Sequence, residues 1–224
     1  MNNDYEEIFS SFREHADEEI AAPMSAYMRD MFPYLGIKTP VRRKLSSAFI
    51  KEAKKEAKNG AAIDWEFISE CWELEREFQY LALDYLQAVS LRLKPEDLPQ
   101  LRELVLAKSW WDTVDSLDSI IGGIVLSHPE LKAVMLAWST EENFWLRRIA
   151  IDHQLQYKDK TDTKLFEQVL VNNLGQKEFF INKSIGWSLR EYSKINPAWV
   201  GDFLERYREQ LAPLSVREAS KYLS

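Results

Sequence analysis

Apolar residues recur at helical spacing along almost the whole chain. Wound as a helix, the segment Trp110 to Val125 places Trp110, Thr113, Val114, Leu117, Ile120, Ile121 and Ile124 on one broad face. From Phe180 to Ile195 the equivalent stripe is Ile181, Ile185, Leu189 and Tyr192. Helix-start signals punctuate the chain between such segments. Thr39-Pro40 offers Thr as N-cap and Pro at the first helical position, and Lys94-Pro95-Glu96-Asp97, Ser127-His128-Pro129-Glu130 and Asn196-Pro197 serve the same purpose. No segment alternates β-branched and polar residues between hairpin turns. The pattern predicts an all-α protein.

A weak internal repeat overlies this periodicity. Phe78-Gln-Tyr-Leu-Ala-Leu-Asp84, Trp111-Asp-Thr-Val-Asp-Ser-Leu117, Trp145-Leu-Arg-Arg-Ile-Ala-Ile151 and Ile181-Asn-Lys-Ser-Ile-Gly-Trp187 align, each opening on a large apolar residue. Each also carries a small residue near its end: Ala82, Ser116, Ala150 and Gly186, at intervals of 34, 34 and 36. Small residues at a fixed interval let stacked helices approach closely, which predicts HEAT-like helix pairs in a solenoid. Residues 1–224 are read as a single domain of this kind.

Some large apolar residues fall outside the core stripes. On the helix from Trp110, a second stripe holds Trp111, Asp115, Asp118 and Gly122, so a tryptophan stands one turn ahead of a carboxylate. On the helix from Phe180, Lys183, Trp187, Arg190, Glu191 and Lys194 form another, and Trp187 lies among cations. Packing between neighbouring helices would account for either tryptophan alone. An aromatic surface flanked by Lys and Arg also suits a sugar, a base or a phosphate backbone. The helix from Phe144 adds Arg147 and Arg148; a surface ion pair from Arg148 to Asp152 at i+4 is the plainer reading.

Charge sharpens the picture. The net charge of −7 argues against a nucleic-acid partner until its distribution is considered. Lys38 to Lys58 holds eight basic residues, Arg42 and Arg43 among them, against Glu52 and Glu56. Phe144 to Lys194 holds nine basic and six acidic residues, leaving a net of −16 for the rest of the chain. Such segregation fits one positive face on an acidic molecule, with ordinary scatter on solvated helices as the alternative.

Cys71 is the sole cysteine and sits in an apolar stretch, so it is read as buried core, and neither a disulfide nor a cysteine-based zinc site is available. Asp112, Asp115 and Asp118 at i, i+3, i+6 suggest a metal cluster, but Asp112 points off the other two. No histidine or second acidic motif completes a coordination shell, and no metal or other cofactor is expected. The N-terminus lacks a basic start and an apolar signal core, and no window approaches the roughly 18–20 apolar residues of a membrane span. A cytoplasmic protein without a membrane partner is the expectation, and nothing requires more than a monomer.

At these residues the chain resembles the AlkD-type DNA alkylation repair glycosylases, with likeness over nearly its full length. Ser109-Trp-Trp-Asp-Thr-Val-Asp115 is the most specific marker. Phe144-Trp-Leu-Arg-Arg-Ile-Ala150, Phe180-Ile-Asn-Lys-Ser-Ile-Gly-Trp-Ser-Leu-Arg-Glu-Tyr192 and Tyr27-Met-Arg-Asp-Met-Phe-Pro-Tyr-Leu-Gly-Ile-Lys-Thr-Pro40 support it. The resemblance implies a right-handed HEAT-like solenoid with double-stranded DNA along its concave face, and removal of N3- and N7-alkylated purines. It carries the catalytic aspartate onto Asp115, the paired tryptophans onto Trp111 and Trp187, and the groove arginine onto Arg148, with Arg147 the alternative. Tyr27, Lys38, Arg42, Arg43, Arg147, Lys183, Arg190 and Lys194 are the candidate DNA contacts.

The chemistry fits such a site. Breaking an N-glycosidic bond builds positive charge on the sugar, and most glycosidases also protonate the leaving group. A purine alkylated at N3 or N7 is already cationic and leaves without an acid. The three histidines, His15, His128 and His153, all lie outside the tryptophan stripes. Asp115 would stabilise the sugar cation and orient water, and a non-catalytic DNA- or protein-binding scaffold is the rival reading.

Overall fold

The computed structural model describes residues 3–223, and within them the chain is all-α, with no strand. By internal contacts it divides at Leu93 into two compact units. The first contains α1 (Asn3–Glu14), α2 (Glu18–Tyr27), α3 (Thr39–Lys58), α4 (Trp65–Glu73) and α5 (Arg76–Ala88). The second contains α6 (Leu98–Leu106), α7 (Trp111–Ser127), α8 (Lys132–Trp138), α9 (Phe144–Asp152), α10 (Thr163–Val171), α11 (Phe179–Ser193), α12 (Pro197–Arg206) and α13 (Pro213–Ala219).

In the first unit α1 packs on α3, α3 on α5, and α4 on α5. Its core joins Phe9, Phe12, Phe67 and Phe78 with Leu81 and Leu86, all at most 6% exposed. Glu77 is buried here because its carboxylate accepts the backbone N–H groups of Leu35, Gly36 and Ile37 at 2.9–3.0 Å. Cys71 is fully buried, as its apolar surroundings require. Thr39 differs from its expected role. α3 begins at Thr39 itself, with Lys38 in the extended capping position and no side-chain cap, so Pro40 alone sets the start.

The second unit shows the repeat directly. α7, α9, α11 and α13 lie side by side as one layer, while α6 packs on α7, α8 on α9 and α12 on α11. The aligned segments from Trp111, Trp145 and Ile181 therefore occupy equivalent places on three successive helices of that layer. The small residue of the last one is needed for close approach: a Cβ on Gly186 would stand 2.7 Å from Glu218 Cβ and 3.0 Å from the Ser215 backbone of α13. Ala150 is likewise buried, but Ser116 is not.

The apolar face expected for α7 is buried from Thr113 to Ile124, and Ile181, Ile185 and Leu189 of α11 are fully buried. Asn196 caps α12 as its position predicts, accepting the Trp199 N–H at 3.1 Å. Among the described residues no single helix is long and apolar enough to cross a membrane.

Candidate functional site

The turn from α6 into α7 is tight. Lys108 takes the left-handed conformation at φ 51°, the Ser109 hydroxyl donates to the Val105 carbonyl at 2.6 Å, and Trp110 stands extended before the first turn. Trp110 is anchored in an aromatic cluster, edge-on to Trp145 and Phe180 with centroids 5.9 and 5.2 Å away. Trp111 is thereby fixed as the first residue of α7, half-buried, one turn ahead of Asp115.

Asp115 is gripped from the next helix of the layer. Arg148 of α9 donates from Nε to Asp115 Oδ1 at 2.7 Å and from Nη2 to Oδ2 at 3.0 Å, a two-pronged pairing. Its remaining nitrogen, Nη1, donates to the Phe180 carbonyl in the first turn of α11 at 2.7 Å. Arg148 thus ties three helices together at one point. Its guanidinium carbon lies 6.0 Å from the centre of the Trp187 ring, within cation–π range, and Trp187 is itself half-buried. The structure brings Asp115, Arg148 and Trp187 together, the residues onto which the family resemblance carries the site.

Two residues differ from expectation. Asp152 is no partner in a surface ion pair: it is 1% exposed, Arg148 is 3% exposed, and the closest approach of Arg148 Nε to Asp152 Oδ2 is 3.8 Å. α11 covers Asp152, and the Ser188 hydroxyl donates to its Oδ1 at 2.6 Å. Asp118, placed by periodicity on the outer stripe with Asp115, is only 3% exposed, because α9 closes over that end of α7. The clustered acids are therefore Asp115, Asp118 and Asp152, with one oxygen from each mutually within 4.8 Å. Asp112 is not among them. The positive charge in their midst belongs to Arg148.

Electrostatics follow from this burial. Desolvation pushes the Asp115 carboxyl above its ordinary range, and the Arg148 hydrogen bonds and charge oppose that shift. Asp118 is raised much further, by burial first and then by Asp152 and Asp115. Asp152 is raised by burial, against the pull of Arg148. Burial alone would weaken the Arg148 cation, yet Asp152 and Asp115 outweigh it and raise its pKa.

The remaining candidates fare differently. On α11, Lys183 and Arg190 both pair with the buried Glu218 of α13, at 3.1 and 3.0 Å, so their charges hold the repeat together. Lys194 is exposed, pairs with Glu191 at 2.6 Å and lies over the Tyr222 ring. Arg147 is half-buried on α9. In the first unit Tyr27 is 73% exposed, and Lys38 and Arg43 are exposed at the start of α3. Arg42 points inward: it is 5% exposed, bound to Asp84 at 2.5 Å and set 5.1 Å from the Tyr80 ring, so that charge is spent within the unit.

An all-helical repeat that presents a guanidinium-locked carboxylate beside tryptophan defines a class, and comparison with known proteins supplies its family. The family model of DNA alkylation repair enzymes matches residues 8–223. The chain belongs to the DNA alkylation repair enzyme family, whose members bind DNA and serve its repair after alkylation. A predicted DNA alkylation repair enzyme from Enterococcus faecalis is similar in structure, with a TM-score of 0.83 and 36% identity over 93% of this chain and 97% of that one. The smu.31 protein of Streptococcus mutans shares the fold at a TM-score of 0.58, with 18% identity over 82% of this chain and 98% of its own. No curated protein matches the chain significantly.

Proposed function

We propose that the protein is a DNA glycosylase that hydrolyses the N-glycosidic bond of N3- and N7-alkylated purines in duplex DNA, acting as a monomer. The observation that carries this reading is the Asp115–Arg148 pair at 2.7 and 3.0 Å, with Asp115 still partly open to solvent and Arg148 beside the Trp187 ring. As the bond from the sugar to the base lengthens, the electron pair leaves with the cationic base and neutralises it. Positive charge then builds on the sugar. A carboxylate fixed in place stabilises that charge without having to reorganise. Arg148 keeps Asp115 ionised against its burial and holds its orientation. The half-buried rings of Trp111 and Trp187 would flank the sugar, each contributing cation–π attraction of about 0.5–2 kcal/mol. Water then adds to the anomeric carbon, and its proton passes to Asp115 and on to solvent.

Asp115→Asn tests this reading. The exchange keeps the shape and loses the charge, so base release from duplex DNA containing 7-methylguanine should nearly vanish while DNA binding persists. Equal release by both proteins would remove Asp115 from the reaction. Binding without release by the wild type would favour the scaffold instead.

A further inference from the structure

Behind the face that Asp115 presents, the same cluster holds more acid than its single guanidinium can pair. Asp118 and Asp152 are 3% and 1% exposed, and the Oδ2 atom of each is buried without a hydrogen-bond partner. The Arg148 fork is taken by Asp115 and the Phe180 carbonyl, and Ser188 donates to Asp152 at Oδ1. Among the described residues no other cation pairs with either acid. His153 is buried, its Nδ1 against the Ala150 carbonyl, and burial lowers its pKa to about 4, so it is neutral. The Tyr157 hydroxyl donates to the Gly122 carbonyl at 2.6 Å. On the helices packed around α7 and α9, Lys132 of α8 pairs with Asp162 and Glu167 of α10 with Arg206. Arg102 of α6 lies near Glu141, and Lys183 and Arg190 of α11 bind Glu218.

We infer that Asp118 and Asp152 hold one proton between them at neutral pH and so act as positioning residues for Arg148 and Asp115. Two bare carboxylates this close in a dry interior repel each other, and a single proton relieves both that repulsion and an orphaned oxygen. Burial moves the titration of both acids upward, helped at Asp118 by the charge of Asp152 and at Asp152 by that of Asp115. A cavity of about 170 Å³ is lined by Asp118, Asp152, Gly122 and Tyr157 but not by Asp115 or Arg148, and it provides a separate route for proton exchange. While the proton is present, Arg148 has one full anionic partner within hydrogen-bonding range. Once it leaves, Asp152 at 3.8 Å competes for Nε and loosens the fork on Asp115.

The proton is read directly by infrared spectroscopy of the wild type, Asp118→Asn and Asp152→Asn across pH. The wild type should show a protonated-carboxyl C=O band at neutral pH that fades on the alkaline side, and in either variant the band should fade at lower pH. Absence of the band from the wild type at neutral pH overturns the assignment even if both variants fail to fold. The consequence for activity rests on the glycosylase reading. Wild-type base release should fall on the alkaline side. Asp152→Asn, which removes the competing carboxylate, should hold its rate to higher pH, and Asp118→Asn, whose Asp152 ionises earlier, should lose its rate at lower pH. Identical pH profiles for all three would refute the positioning role. A band without base release at any pH would support the shared proton and count against the glycosylase.

Discussion

Adjacent glycines on α7 should respond to the same substitution with opposite signs. A Cβ added at Gly122 would lie 2.2 Å from the His153 carbonyl oxygen and 3.2 Å from its carbon, while one at Gly123 meets nothing within 4 Å. Ordinary contact for such a carbon begins near 3.4 Å, so α7 and the end of α9 must part by roughly 1 Å to admit Gly122→Ala. The obstacle is backbone, not a movable side-chain tip, and overpacking of this kind costs about 1–3 kcal/mol. Alanine in place of glycine within a helix returns about 0.5–1 kcal/mol at either position. Gly122→Ala should therefore lose up to about 2.5 kcal/mol net, and Gly123→Ala should gain up to about 1 kcal/mol. At roughly 2–4 °C per kcal/mol for a chain of this size, the two melting temperatures should lie on opposite sides of the wild type. Thermal melts followed by circular dichroism measure this. The displaced residue directly follows Asp152, so Gly122→Ala should also slow base release. A Gly122→Ala protein as stable as Gly123→Ala would show that α7 and α9 do not approach as described.

Three further outcomes are expected. Arg148→Lys keeps the charge but loses the fork on Asp115, and base release should fall by about ten- to a hundred-fold, the weight of one charge-assisted hydrogen bond; a rate near wild type would contradict the clamp. His153 is neutral and buried, with its pKa lowered to about 4, so the stability it contributes is present above its ordinary value near 6.5 and is lost as pH falls towards 4. Asp118 and Asp152, whose pKa values are raised, contribute with the opposite sign. The difference in urea stability between wild type and His153→Asn should therefore shrink by up to about 3 kcal/mol across that range, and a difference independent of pH would refute it. Arg43→Ala should lower the salt dependence of DNA binding by about one unit in its logarithmic slope, while Arg42→Ala should leave that slope alone and cost about 1–3 kcal/mol of stability. The reverse pattern would mean that Arg42 leaves Asp84 for a phosphate.

Much of the fold was legible because periodicity and repeat agreed. The interval of 34–36 residues between small positions placed the Trp111, Trp145 and Ile181 segments on equivalent helices that pack side by side, while the choice of Asp115, Arg148 and Trp187 within them came from the family resemblance. Periodicity on one helix, however, reports only which residues share a face, not what the next helix lays over that face. Asp118 shares a stripe with Asp115 yet is buried, because α9 covers the later turns of α7 and leaves the earlier ones open. Asp152 looked like a surface partner of Arg148 for the same reason: Ser188 and α11, which bury it, lie 36 residues further along the chain. The one available signal was Ser188 directly following Trp187. The basic runs were likewise poor guides. Arg42 and Arg43 are neighbours in sequence, but the turn of the helix sends one into Asp84 and leaves the other in solvent.

The central claim is that this site can expel only a base that already carries its own charge, because a locked carboxylate and aromatic rings supply no proton to the leaving group. Single-turnover release of 3-methyladenine from duplex DNA, set against release of its uncharged 3-deaza isostere at the same position, tests that most directly. Release of the cationic base with the isostere left intact is the expected result. Comparable release of both would require an acid in the site and contradict the account.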